Sequence, residues 1–260
     1  MNHKEELTGG RTGQIHKVEE TVIRPANAWT PHVHKFLNFL HEEGAVFVPK
    51  AYGINDRQEE ILSFMPGEVF HYPLPDPMLS DSMLVSAAWL LMKFHQSSER
   101  YISKLTNHEQ WMLPAVLPIE VMCHGDFAPY NVTIVGDEAS GIIDFDTLHP
   151  GPRMWDIGYA VYRWVPFHNP KSPGSSGNLK EQIRKTKLFL DTVGASPQDK
   201  KSFVAVLIKR LESLTEYMRK EARKGNPNFQ QHIEEGHLQL YLDDIEYLKM
   251  NENEIIDGIL

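Results

Sequence analysis

A chain of 260 residues, 41% hydrophobic and 23% charged, has the make-up of a globular protein able to bury its apolar surface without staples. Its one cysteine, Cys123, excludes a disulfide framework, fits a reducing compartment and reads as apolar packing. A formal charge of −9 argues against nucleic acid as a partner, because neutralising phosphates takes clustered Lys and Arg. The acidity suits solubility and, as a second reading, a cationic ligand. The opening MNHKEELTGG lacks the apolar core of a secretory signal, and the most apolar stretch, 85–94, is too short to span a bilayer and carries Lys93. The expected location is the cytoplasm, with no membrane partner.

Taken in chain order, the first stretch predicts strand, turn and strand. Residues 7–13 are glycine-rich, and Glu20-Thr21-Val22-Ile23-Arg24 is a β-prone run ended by Pro25. Thr30-Pro31 predicts a helix start, with Thr30 as cap; Val33, Phe36, Leu37 and Leu40 follow at helical spacing, and Gly44 ends the run. A strand pair over 46–54 and 60–64 is joined by the polar turn Asn55-Asp56-Arg57, and Pro66-Gly67 closes it. After a proline-rich connector at 72–77, a helix is expected over 83–95. Two β-runs, 131–135 and 141–145, are separated by Gly136-Asp137-Glu138. Residues 170–177 form a Pro/Gly/Ser-rich loop, and helices are expected over 179–193, 200–223 and 229–249. This order predicts an α+β chain.

The chemistry concentrates in Cys123-His124-Gly125-Asp126-Phe127-Ala128-Pro129-Tyr130-Asn131 and in Ile142-Ile143-Asp144-Phe145-Asp146. Asp126 follows a glycine in a loop. Asn131 opens one β-run and Asp144 and Asp146 close the next, so a hairpin brings Asn131 and Asp144 together. Amide and carboxylate oxygens are hard donors that suit Mg²⁺ alongside phosphate and water. Asp126, just upstream, is placed to take a proton from a substrate hydroxyl. The apolar Ile142, Ile143 and Phe145 predict that these carboxylates sit in a buried strand.

The two segments, His-Gly-Asp-x-x-Pro-x-Asn from His124 to Asn131 and Ile-Asp-Phe-Asp ending at Asp146, resemble the signature of the aminoglycoside phosphotransferase and choline kinase superfamily. Residues 151–157 and 90–95 resemble it too, and the likeness covers most of the chain to about residue 167. It implies a two-lobed, protein-kinase-like fold, with a small β-rich N-lobe at 1–66 covering the nucleotide and a mainly helical catalytic and acceptor lobe at 67–260. It implies ATP and Mg²⁺ as cofactors, Asp126 as catalytic carboxylate, and Asn131 and Asp144 as metal ligands. Asp146 would stand close by in a supporting or second-metal role. His124 and Asp156 would support the loop structurally.

Phosphoryl transfer rests on positioning and charge stabilisation, so the phosphates need donors. Gly9, Gly10 and Gly13 supply candidate backbone N–H groups ahead of a β-run. Where the family has a lysine on the third strand, this chain has Arg24, which keeps the charge and grips phosphate bidentately. The acidic partner expected on the next helix is missing, since 30–41 contains His34 but no Glu. Ser63, Phe64 and Met65 resemble the hinge that meets adenine.

Acceptor recognition is expected in the helical part, with Glu234, Glu235, Asp243, Asp244 and Glu246 as acidic candidates and Trp155, Tyr159 and Trp164 as aromatic ones. The acceptor would be a small hydroxylated molecule: an aminoglycoside, a choline-like alcohol or a sugar. The alternative is a kinase-like binding or immunity protein, since the short N-lobe also resembles trifolitoxin-immunity proteins; Arg24 favours this reading and the complete Asp126, Asn131, Asp144, Asp146 set opposes it. Oligomeric state is not legible.

Overall fold

The computed structural model describes residues 4–7, 14–106, 108–170, 172 and 178–260. Gly9, Gly10 and Gly13 lie outside the described residues, as does most of the 170–177 loop. Two compact units make up the chain: residues 1–69 with 92–153, and residues 70–91 with 154–260.

The first unit holds a five-stranded antiparallel sheet of β1 (Lys4–Glu6), β2 (His16–Val18), β3 (Thr21–Pro25), β4 (Ala51–Ile54) and β5 (Glu59–Ser63), in the order β1-β2-β3-β5-β4. Central β3 pairs with β5 in a register that sets Arg24 opposite Glu60. The β4–β5 turn is built by Asn55, whose side-chain oxygen accepts the amides of Arg57 (2.9 Å) and Glu59 (3.0 Å). Helix α1 (Thr30–Glu42) buries Val33, Phe36, Leu37 and Leu40, as the spacing predicts. Its cap position falls on Trp29 rather than Thr30. Thr30 instead accepts the Asn27 amide through its hydroxyl (2.9 Å), closing the turn that leads into the helix.

Helix α2 (Asp81–Ile102) runs longer than the predicted 83–95, because Tyr101 extends its apolar stripe. Phe94 and Tyr101 meet Phe36 edge-on, at centroid distances of 6.0 and 5.0 Å. Two small antiparallel pairs follow: β6 (Val121–Cys123) with β9 (His149–Gly151), and β7 (Val132–Val135) with β8 (Glu138–Ile142). The expected second run, 141–145, lies three residues too late. The strand ends at Ile142, the Ile143 amide makes a last bond to the Asn131 carbonyl (2.9 Å), and Asp144 turns left-handed (φ 57°, ψ 74°). Asp is among the few residues that adopt this conformation at modest cost. Phe145–Thr147 then form a 3-10 turn, which packs against α1.

The second unit is helical: α3 (Arg153–Trp164), α4 (Leu179–Thr192), α5 (Pro197–Arg223), α6 (Pro227–Glu234), α7 (His237–Met250) and α8 (Glu252–Ile259). Helix α5 starts from a capping box in which Ser196 and Asp199 each accept the other's backbone amide. It packs against α6, α7 and α8 and buries Phe203, Leu207 and Leu211. The single helix expected over 229–249 is two helices, broken at Gly236 (φ 86°), where a left-handed residue cannot continue an α-helix. The fold class is α+β, as expected. Among the described residues no helix is long and apolar enough to cross a membrane.

Candidate active site

The segment from His124 to Asp146 is held from beneath by an aromatic cluster. The His124 ring meets Phe145 at 4.9 Å and Phe94 at 6.3 Å, and Phe94 meets Phe145 at 5.8 Å. His124 is fully buried, and its two nitrogens do different work. Nε2 donates to the Ile143 carbonyl (3.0 Å), while Nδ1 accepts the amide of Asp126 (3.3 Å). The Nε2–H tautomer satisfies both bonds and ties the Asp126 loop to the strand end before Asp144. Gly125 sits between them at φ 82°, and a Cβ there would lie 2.5 Å from the Thr147 carbonyl oxygen. Only glycine fits this position.

Asp126 is oriented through both carboxylate oxygens. Tyr130 donates its hydroxyl to Oδ1 (2.7 Å), and the Asn131 amide nitrogen donates to Oδ2 (3.0 Å) and to the Asp126 carbonyl (3.0 Å). With its nitrogen spent on Asp126, the Asn131 amide has its orientation fixed and its oxygen turned away from that carboxylate. The Ile143–Asn131 backbone bond places Asp144 next to it in the chain's other arm.

Asp144 and Asp146 are not embedded in a buried strand as expected. They lie beyond β8 and differ sharply in exposure, at 45% for the Asp144 side chain and 11% for Asp146. Oδ1 of Asp146 accepts from both Arg24 Nη2 (3.1 Å) and the indole of Trp29 (3.2 Å). Asp144 receives Arg24 Nη1 at 2.8 Å.

Arg24 thus stands at the centre of three carboxylates, because its Nε also donates to Glu60 at 2.6 Å. Burial alone would pull the guanidinium's pKa down; the surrounding charges of Asp144, Asp146 and Glu60 reverse this and raise it above the usual arginine value. Burial likewise acts to raise the Glu60 pKa, but the hydrogen bond from His34 and the charge of Arg24 prevail and hold it below the usual carboxylate range. His34 Nε2 contacts Glu60 Oε2 at 2.8 Å. The acidic partner that α1 lacks therefore comes from β5, and α1 reaches it through a histidine.

Glu60 and Trp29 were not singled out by the sequence reading, nor was Tyr130. A signal for Glu60 exists. It alternates with Leu62 on the buried face of β5, where a charge needs a partner.

In the hinge segment, the Phe64 amide donates to the Glu20 carbonyl (2.8 Å) and Lys17 Nζ lies 3.6 Å above the Phe64 ring. Ser63 pairs with Lys50 through backbone and side chain.

In the second unit, Asp156 is fully buried in the first turn of α3. Of the acidic acceptor candidates, Glu234, Glu235, Asp243 and Glu246 are exposed and Asp244 is buried. Asp244 accepts from the Tyr162 hydroxyl (2.7 Å), His168 Nδ1 (2.9 Å) and the Asn169 amide (2.7 Å), which locks the segment after α3 to α7. The aromatic candidates Tyr159 and Trp164 are buried, and the Arg210 guanidinium stacks 4.3 Å from the Tyr159 ring and 5.7 Å from Trp155.

The sequence model of the phosphotransferase enzyme family matches residues 100–173, the stretch that carries Asp126, Asn131, Asp144 and Asp146. No curated protein matches the chain. Among solved structures, it is similar to a choline/ethanolamine kinase family protein from Mesorhizobium loti, at 15% identity and a TM-score of 0.59, covering 95% of this chain and 92% of that one. A Plasmodium vivax ethanolamine kinase aligns at 12% identity and a TM-score of 0.65, covering 99% and 83%. An amicoumacin kinase in complex with AMP-PNP and Ca²⁺ aligns at 11% identity and 0.59, covering 90% and 88%. At these identities the structures show a kinase-like fold. Together with the family match over the motif segment, this supports a small-molecule kinase or phosphotransferase, in line with the resemblance drawn from the motif residues.

Proposed function

We propose that this chain transfers the γ-phosphate of ATP to a hydroxyl of a small-molecule acceptor, with Mg²⁺ as cofactor. One observation carries the reading: Asn131 donates its amide nitrogen to Asp126 and so holds its own oxygen for a second task. Asp126 is then the carboxylate that takes the acceptor's hydroxyl proton, oriented by Tyr130 and Asn131. The donor set fits the metal, because Asn131 offers a fixed amide oxygen and Asp144 a partly exposed carboxylate, hard oxygens of the kind Mg²⁺ shares with phosphate. Asn131 and Asp144 would hold the ion, which when bound offsets the negative charge of the phosphates. Asp146, anchored by Arg24 and Trp29, keeps the loop in place.

Residues 1–66 would serve as the nucleotide-covering lobe, with Gly9, Gly10 and Gly13 over the phosphates and Ser63, Phe64 and Met65 at adenine. Residues 67–260 would supply catalysis and acceptor binding. The acceptor class includes aminoglycoside-, choline- and sugar-like alcohols, a cationic one among them, and the cytoplasm is the expected location.

A second reading, a kinase-like binding or immunity protein, is favoured by one feature: three of Arg24's nitrogens are engaged by carboxylates rather than left for phosphate. Calorimetric titration of ATP with and without Mg²⁺, on wild type and Asp144→Ala, separates the two. Mg²⁺-dependent binding that Asp144→Ala abolishes supports the kinase. Absence of any nucleotide binding to wild type favours the binding protein.

A further inference from the structure

We infer that Arg24 is an internal counter-cation of the metal site, competing with the divalent ion for Asp144 while Glu60 and Asp146 hold the arginine in place. The inference rests on the kinase reading above and names a device that sets how tightly the site takes its metal.

The guanidinium has five N–H donors, and three are committed: Nε to Glu60, Nη1 to Asp144 and Nη2 to Asp146. These contacts are not equivalent. Glu60 is fully enclosed, with a side chain 2% exposed, and is braced by His34; Asp146 is nearly enclosed and shared with Trp29. Asp144 is the exposed member and the one that follows Ile143, whose amide bonds the Asn131 carbonyl. The contact to Asp144 is therefore the one that can be given up without exposing a buried charge.

The charges point the same way. One guanidinium against three carboxylates leaves an excess of negative charge, which a divalent cation is suited to take. A guanidinium hydrogen-bonded to Asp144 Oδ1 nevertheless occupies one oxygen of the carboxylate that would hold the ion and repels a second cation there. Arginine, unlike lysine, cannot relieve this by losing its proton, and its planar fork reaches all three carboxylates at once. Lysine at this position is a single point charge that satisfies Glu60 and frees Asp144.

The test uses Mn²⁺ alone, titrated into the full-length protein and followed by electron paramagnetic resonance, with circular dichroism to check the fold. Four proteins are compared: wild type, Arg24→Lys, the paired Arg24→Met/Glu60→Gln variant that removes both buried charges together, and Asp144→Asn. Arg24→Lys and the paired variant are expected to bind Mn²⁺ about tenfold more tightly than wild type, and Asp144→Asn to bind more weakly. Mn²⁺ binding that needs Asp144 but is unchanged or weaker in both folded Arg24 variants overturns the counter-cation role and leaves the metal site standing. Binding indifferent to Asp144, or absent from all four proteins, overturns the metal site and this inference with it.

Discussion

Arg24 and Glu60 face one another across β3 and β5, and their side chains meet at 2.6 Å with both almost wholly shielded from water. The pair also anchors Asp144, Asp146 and His34. The two terminal nitrogens of the guanidinium reach Asp144 and Asp146, and the far oxygen of Glu60 reaches His34 on α1. Two strands, a helix and the loop after β8 are thereby tied by one chain of charged contacts.

Removing one member of such a pair leaves a charge buried without its partner, which typically costs about 3–5 kcal/mol. Glu60→Ala is expected to lose stability on that scale, read as a drop in the urea midpoint with an unchanged slope. A loss below about 1 kcal/mol would mean that Arg24 is held adequately by the two aspartates alone.

The same pair sets a pH dependence. Because the folded-state pKa of Glu60 lies below its ordinary 4.5, its contribution to stability is complete above that value and is lost as pH falls through the folded-state pKa. Wild type should therefore lose stability steadily on acidification below about 4.5, and Glu60→Gln should show a shallower decline over the same range. Parallel curves for the two proteins would contradict the assignment.

Tyr130 is expected to matter for turnover more than for folding. Its hydroxyl orients Asp126 Oδ1, and a misaligned catalytic carboxylate loses rate through lost positioning rather than through folding. Tyr130→Phe should lower kcat roughly tenfold or more while the thermal midpoint changes little. A fall in stability with kcat untouched would make Tyr130 a packing residue.

How much of the site is legible in the sequence depends on distance along the chain. The grouping of Asp126, Asn131 and Asp144 is legible because it is local: a glycine-marked loop and one hairpin bring them together within a short segment. Helix α1 was legible because its apolar spacing is unbroken. Glu60 lies 36 positions from Arg24 and Trp29 lies 117 from Asp146, so only the strand register and the α1 packing bring those partners together. The end of β8 is hidden in the sequence because Ile142, Ile143 and Phe145 keep the run β-prone past the point where the backbone turns left-handed. Gly236 was overlooked as a break because the apolar pattern on its two sides continues at helical spacing.

In the helical unit, Asp244 and its neighbour Asp243 separate structure from surface. Asp244→Ala strands the Tyr162 hydroxyl, His168 and the Asn169 amide, and should cost about 2–4 kcal/mol. Asp243→Ala, on an exposed face, should stay within about 0.5 kcal/mol. Equal effects in chemical denaturation would show that the buried network adds nothing to the fold.

The most direct test of the central claim is transfer of label from γ-labelled ATP, in the presence of Mg²⁺, to a panel of amino-alcohol, aminoglycoside and sugar acceptors. Wild type is expected to label at least one acceptor, and Asp126→Ala, with its fold verified, to do so at least about a hundredfold more slowly. A wild type that binds nucleotide yet labels nothing, or an Asp126→Ala variant as active as wild type, would contradict it.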